Sequence, residues 1–495
     1  MTLPLHPAAP EDILVRCQQG TLCGLLHQGV SRFMDIPYAA DLASHERFQP
    51  PRPPLAWSGV RQAQQRGAIF PQLPSRLNFV MGPREAGLAQ SENAFRLNVW
   101  TPSTSARLPV LFWIHGGGFL SGGGALPCYD GEALARSGQV VVVSVNYRLG
   151  ILGNLYYPGI AAGNMAVQDL LAAFDWVTAN IAGFGGDPRS ITVGGQSAGA
   201  WYTQLMMAIP GVSERIQRAL MMSLPDVPPL QQDAALALAQ QYCHLAQLPS
   251  SDALRDLPVA DLLLNQVKML RAQGAVADVP QTFMAVIDDL VPENIAQQAA
   301  RRFAGKPVLI GTTREEMSSF LGSRSDLLTI SQEQVIEIMQ DKQVEDAAGR
   351  YAAYLARRGQ ASPYLVLVDF MSDELFHLGT LALAQALKQH SSPTYLYRFD
   401  LASPQPHVHA CHCLELPFFF RDQKNWQEAP MFDDFPIEVK NGITTAFSDS
   451  VLQFVRDGAP ATRHTGEWPP LEKMPMRPMV FARNVELRDW QDKFN

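Results

Sequence analysis

An α/β fold, with a central, mostly parallel sheet flanked by helices, is what this sequence predicts, and three short runs predict it. Leu108–Ile114 (LPVLFWI) is apolar throughout and leads directly into His115 and a string of glycines. Val140–Val145 (VVVVSV) is β-branched with no alternation, the pattern of a strand buried on both faces. Ser190–Gly194 (SITVG) is the third. Between the second and third, Gln168–Ile181 reads as a helix, with Leu171, Phe174, Trp176 and Val177 as its apolar stripe. Strand, helix, strand in that order makes parallel pairing through a crossover helix the expected topology.

The remaining elements extend this pattern. From about Gln231 to Arg302 the chain reads as largely helical, with polar breaks such as Pro249–Asp252. Strands return at Pro307–Gly311 (PVLIG) and Thr394–Phe399 (TYLYRF), and Gly458–Pro470, with three prolines, reads as a loop. No repeat, low-complexity tract or linker divides the chain. Residues 1–495 are therefore expected to form a single domain with helical insertions.

Bulk properties exclude some functions. The chain has 495 residues, 47% hydrophobic and 17% charged, enough to bury a large core. A net charge of −8 argues against nucleic acid as a partner, because phosphate binding needs a basic surface. Met1–Gly20 has neither the basic start nor the apolar run of roughly 7–15 residues of a secretory signal. No stretch reaches the ~20 apolar residues of a membrane span. The six cysteines are too few for a disulfide framework in a chain this long, which points to reduced thiols and a cytoplasmic location.

Chemistry is concentrated in a few motifs. Gly195-Gln196-Ser197-Ala198-Gly199 has G-x-S-x-G spacing, preceded by the SITVG strand and followed by the helical run AGAWYTQLMMA. A sharp strand-to-helix turn of this kind holds a serine hydroxyl above the sheet, with the helix N-terminus aimed at the reacting oxygen. His115-Gly116-Gly117-Gly118-Phe119 follows the LPVLFWI strand. Its glycines let backbone N–H groups converge, so Gly117, Gly118 and Ala198 are the candidate oxyanion donors. The competing reading is a plain Gly-rich turn, and His115 reads as a structural side chain. Farther on, His407-Val408-His409-Ala410-Cys411-His412-Cys413 packs imidazoles and thiols closely enough to consider a metal site, although the spacing is tighter than in common zinc modules.

Phe33–Ala39 (FMDIPYA), Arg47–Pro51 (RFQPP), Ser91-Glu92-Asn93, Leu97-Asn98-Val99, Asn146–Gly150 (NYRLG), Gly163-Asn164, Asp169 and Gly183–Pro188 (GFGGDP) follow one another in order. With the serine and glycine motifs, they resemble the type-B carboxylesterase and cholinesterase family of α/β-hydrolases from about Gly20 to Pro469. The likeness includes the family's bacterial carboxylesterases and para-nitrobenzyl esterases.

The resemblance implies helical insertions over an active-site gorge and a catalytic Ser197, Glu316 and His412. Glu315 is the competitor for the acid, and Met317 stands where a glycine usually follows it. The segment Ala410–Phe418 matches the one carrying the family's base, which favours His412 over a metal cluster and leaves His407 and His409 as loop residues near the gorge mouth. Hydrolysis would pass through an acyl-enzyme on a small-molecule ester, with no metal or organic cofactor.

Three departures from the family carry information. Gln196 replaces the usual glutamate before the nucleophile, which points to neutral rather than choline esters. Phe70 and Ala94 occupy the places of a cysteine pair seen in secreted members, and Leu224 replaces a glycine after Ser223. The rival readings are a non-catalytic cholinesterase-like binding protein, a lipase, an amidase or a narrow natural-product esterase. Trp201, Met206, Met207, Met221 and Met222 read as core rather than as pocket lining. Cys411 and Cys413, beside His412, raise the expectation of sensitivity to thiol reagents.

Overall fold

The computed structural model describes residues 10–85, 87–274, 283–359, 361–473 and 476–490. Twelve strands follow one another across the main sheet: β1 (Glu11–Cys17), β2 (Gly20–His27), β3 (Val30–Pro37), β4 (Arg96–Thr101), β5 (Leu108–Ile114), β6 (Val141–Val145), β7 (Gly186–Gln196), β8 (Arg218–Met222), β9 (Val308–Thr313), β10 (Thr394–Phe399), β11 (Met479–Phe481) and β12 (Val485–Leu487). Their spatial order is β1-β2-β3-β4-β6-β5-β7-β8-β9-β10-β11-β12, and a short strand, Val60–Gln62, lies along β2. The run from β6 to β11 is parallel. The first strands and the last pair are antiparallel.

The buried valine run behaves as its composition demands. Val141, Val143 and Val145 pack into one core cluster with Val110, Phe112 and Ile114. Val142 joins the opposite cluster with Leu111 and Trp113. Both faces of β5 and β6 are therefore covered, and neither strand has a solvent face that would require polar alternation. Trp201, Met206, Met207 and Met221 lie in the first cluster and Met222 in the second, so these side chains are core.

Two elements depart from the sequence reading by three residues or more. The crossover helix α1 (Met165–Asn180) starts three residues earlier than expected. Its start is set by Asn164, which adopts a left-handed conformation (φ 60°) and exchanges hydrogen bonds with the backbone of Val286. β7 is eleven residues long rather than five. It runs through Pro188, normally a strand breaker, because its pairing with β5 shifts register between Gly186 and Ile191, where no ladder N–H is required of the proline. Helix α2 (Ala198–Ala208) follows β7 directly, and α3 (Val259–Gln273) belongs to the helical insertion.

Candidate active site

All the chemical motifs sit beyond the carboxyl ends of parallel strands, where open α/β sheets place ligands. The glycine loop leaves β5, Ser197 leaves β7, Glu316 lies three residues past β9, and His412 is on the loop after β10. Register brings the first two together, since Ile114 pairs with Gly195.

Ser197 occupies a strained backbone position, φ 57° and ψ −126°, between β7 and α2. The flanking glycines are steric necessities. A Cβ on Gly199 would lie 2.0 Å from the Ile114 carbonyl oxygen, and one on Gly195 would lie 2.4 Å from the Gly199 carbonyl carbon. In the loop after β5, Gly117 and Gly118 both have positive φ (125° and 60°), a backbone conformation that glycine adopts without steric cost. Among the described residues, the backbone N–H groups of Gly117, Gly118 and Ala198 have no acceptor. The loop itself is held firmly. Gln72 accepts from Gly122 N–H and donates to the Gly122 carbonyl, and Tyr147 donates to the His115 carbonyl. The buried, bidentate Arg148–Asp169 pair anchors the segment that carries Tyr147. His115 stacks on Tyr147 at 4.3 Å, and burial pulls its imidazole down to about 4, so it is a neutral, structural ring.

His412 and Glu316 meet. Glu316 Oε2 lies 2.5 Å from His412 Nδ1, and both side chains are fully buried. Burial by itself would raise the Glu316 carboxyl, but the adjoining imidazole outweighs it and holds the group below its ordinary value. An ionised Glu316 accepts only, so Nδ1 carries the ring proton and Nε2 presents a lone pair. Phe376 and Phe320 pack against the imidazole at 4.8 and 5.5 Å. The partner of Nε2 in this structure is the Gln196 side-chain amide, 3.1 Å away and donating. The uncharged residue before Ser197 is thus in direct contact with the ring. Close by, burial and then the charge of Glu316 push the Glu415 carboxyl up to about 8, so at neutral pH it adds no second negative charge. Ser223 donates to it at 3.3 Å. Nothing in the structure explains Leu224 in place of a glycine.

The neighbouring glutamate has a different set of partners. Glu315 is fully buried between Arg314 and Arg358, and Arg358 also grips Asp369. Burial opposes its charge, but the two arginines prevail and hold the carboxyl at about 2. A carboxyl depressed this far stabilises the fold at neutral pH by roughly 3 kcal/mol, all of it present above the ordinary carboxylate range and lost as pH falls toward 2. Glu315→Gln is expected to lower neutral stability and flatten that dependence. Urea unfolding at neutral and acid pH checks this, and an unchanged slope would rule it out.

Ser197, Gly117 and Gly118 line a cleft of about 570 Å³. One wall comes from α3 and another from a π-helical turn, Asp373–His377, which contributes Leu375 and Phe376. Sequence periodicity missed both this turn and the Gln196 contact. The first looks like ordinary helix, and the second joins residues 216 positions apart.

The thiol sensitivity expected from Cys411 and Cys413 does not fit their surroundings. Both are buried, Cys411 Sγ faces Met431 Sδ at 3.9 Å, and burial pushes both thiols upward. Native protein at neutral pH is expected to leave both unlabelled by a maleimide, with modification only in denaturant. Labelling of the folded protein at either position would refute this.

The sheet, the strained turn and the loop clustering define an α/β-hydrolase. The chain belongs to the carboxylesterase family, whose model matches residues 11–493. It is 32% identical over 493 residues to a para-nitrobenzyl esterase of Bacillus subtilis, covering 96% of each chain. It is 30% identical over 455 residues to a phenmedipham hydrolase of Pseudarthrobacter oxydans, covering 91% of each. The structure of the Geobacillus stearothermophilus carboxylesterase EST55 matches it with a TM-score of 0.84 at 30% identity, over 96% of this chain and 98% of that one. Among the described residues, no helix is long and apolar enough to cross a membrane.

Proposed function

We propose that this protein is a serine carboxylesterase that hydrolyses uncharged carboxylic esters of small molecules through an acyl-enzyme on Ser197. The observation that carries this reading is the buried 2.5 Å contact between Glu316 and His412 Nδ1, which leaves the Nε2 lone pair facing the side-chain amide of Gln196, the residue before Ser197. In the first half-reaction the Ser197 hydroxyl displaces the Gln196 amide from Nε2, gives its proton to that nitrogen, and its oxygen attacks the ester carbonyl. The tetrahedral oxyanion accepts from the N–H groups of Gly117, Gly118 and Ala198, donors that have no other acceptor among the described residues. His412 passes the proton to the departing alkoxide. Water then repeats the sequence on the acyl group, and the carboxylic acid leaves. The six free cysteines support a reducing, cytoplasmic compartment.

Turnover of p-nitrophenyl esters of increasing acyl length, combined with mass spectrometry after treatment with a phosphonate ester, tests the mechanism. One adduct per chain on Ser197 is expected, with loss of turnover. Full turnover after labelling, or an adduct elsewhere, would refute it. The uncharged Gln196 makes a second prediction. Gln196→Glu places a negative charge beside the reacting centre and is expected to raise the preference for a choline ester over its neutral isostere by on the order of tenfold. The ratio of kcat/KM for the two esters measures it, and an unmoved ratio would show that this position does not read substrate charge.

A further inference from the structure

The cleft has a charge pattern that ester hydrolysis alone does not require. Its lining includes Arg76, Arg271 and Arg324 and, among the described residues, no aspartate or glutamate. The protein as a whole carries a net charge of −8, so this local excess of cations runs against its composition. Two acids adjoin lining residues in sequence: Asp226, after Pro225, turns its side chain onto Gly379, and Glu374, before Leu375, is exposed and does not line the cleft.

The three arginines are not equivalent. Arg324 is paired with Asp326 near the surface. Arg271 projects from α3 into solvent and has no ion pair among the described residues. Arg76 differs from both. It is exposed to the solvent that fills the cleft, and the nearby protein pulls its pKa below the ordinary value. Its Nη2 lies 3.2 Å from where a Cβ on Gly118 would sit, so the guanidinium rests over the glycine loop. Among the described residues it has no ion pair and no hydrogen bond. With no counter-ion among the described residues, its guanidinium is open to pairing with an anionic group of a ligand in the cleft. The planar fork of an arginine matches a carboxylate in shape and charge.

We propose that the cleft selects esters bearing a carboxylate remote from the scissile bond, and that Arg76 is the residue that receives it, with Arg271 and Arg324 adding to the field at the mouth. This specificity rests on the esterase reading given above and names its substrate class. Arg76 is a binding residue, and it takes no part in proton transfer.

Two matched pairs test it: the mono-p-nitrophenyl ester of suberic acid against its methyl ester, and p-(butyryloxy)benzoate against its methyl ester. The first places the carboxylate on the acyl side and the second on the alcohol side. In at least one pair the anionic member is expected to have the higher kcat/KM, by on the order of tenfold, with the preference shrinking in high salt. In Arg76→Gln the anionic-to-neutral ratio is expected to fall by about the same factor, and Arg76→Lys, which keeps the charge, to recover part of it. Hydrolysis of the neutral methyl esters with no anionic advantage in either pair overturns this proposal and leaves the esterase reading intact. An anionic advantage that Arg76→Gln does not reduce removes Arg76 from the role. Turnover of none of the four esters overturns the esterase reading and this specificity with it.

Discussion

Ser197→Ala is expected to lower kcat on p-nitrophenyl butyrate by about 10⁴–10⁶-fold, with the folded state preserved. The size of the loss follows from the covalent route. Without the hydroxyl there is no acyl-enzyme, and what remains is the rate supplied by binding and by the free N–H groups of Gly117, Gly118 and Ala198. The fold is expected to survive because the Ser197 side chain acts as no helix cap. Its strained φ of 57° is borne by the same backbone in serine and alanine. Kinetics together with far-ultraviolet circular dichroism and thermal melting check both halves. A variant that melts as wild type and still turns over at more than about a hundredth of its rate would exclude the acyl-enzyme route.

Glu316→Gln is expected to have the second largest effect, a fall in kcat of about 10³–10⁴-fold. The carboxylate accepts the Nδ1 proton and so fixes Nε2 as the accepting nitrogen. A glutamine amide can turn its NH₂ toward the ring, stabilise the other tautomer and leave Nε2 already protonated, unable to take the Ser197 proton. Substrate affinity is expected to change far less than kcat, since Glu316 is absent from the cleft lining. The adjacent Glu315→Gln, which breaks the Arg314 and Arg358 contacts, is expected to act mainly on stability. Measuring kcat and unfolding free energy for both variants separates the two glutamates. If Glu315→Gln carried the catalytic loss instead, the assignment of the acid would be reversed.

These two glutamates show how far local reading extends. Side by side at the end of a buried strand, they have the same chemistry and the same solvent exclusion, and only the family resemblance favoured one. The structure separates them by direction, as Glu316 turns to His412 and Glu315 to the arginines. The histidine cluster is similar. His407, His409 and His412 share one loop, and only His412 is brought to Glu316.

What the sequence by itself determined is everything governed by near neighbours along the chain. The apolar run Leu108–Ile114 and the run Thr394–Phe399 are strands with the expected bounds, because burial on both faces demands continuous apolar residues. The turn at Ser197 needs Gly195 and Gly199 because a Cβ there meets backbone at 2.0–2.4 Å, a constraint closed within a few residues and one facing strand. Tertiary structure alone decided the Gln196–His412 contact, the placement of Arg76 over Gly118 and the π-helical turn that walls the cleft. Each of these depends on where distant segments come to rest. Periodicity reports which face of an element is buried, whereas the partner across the gap is selected by packing of the whole core.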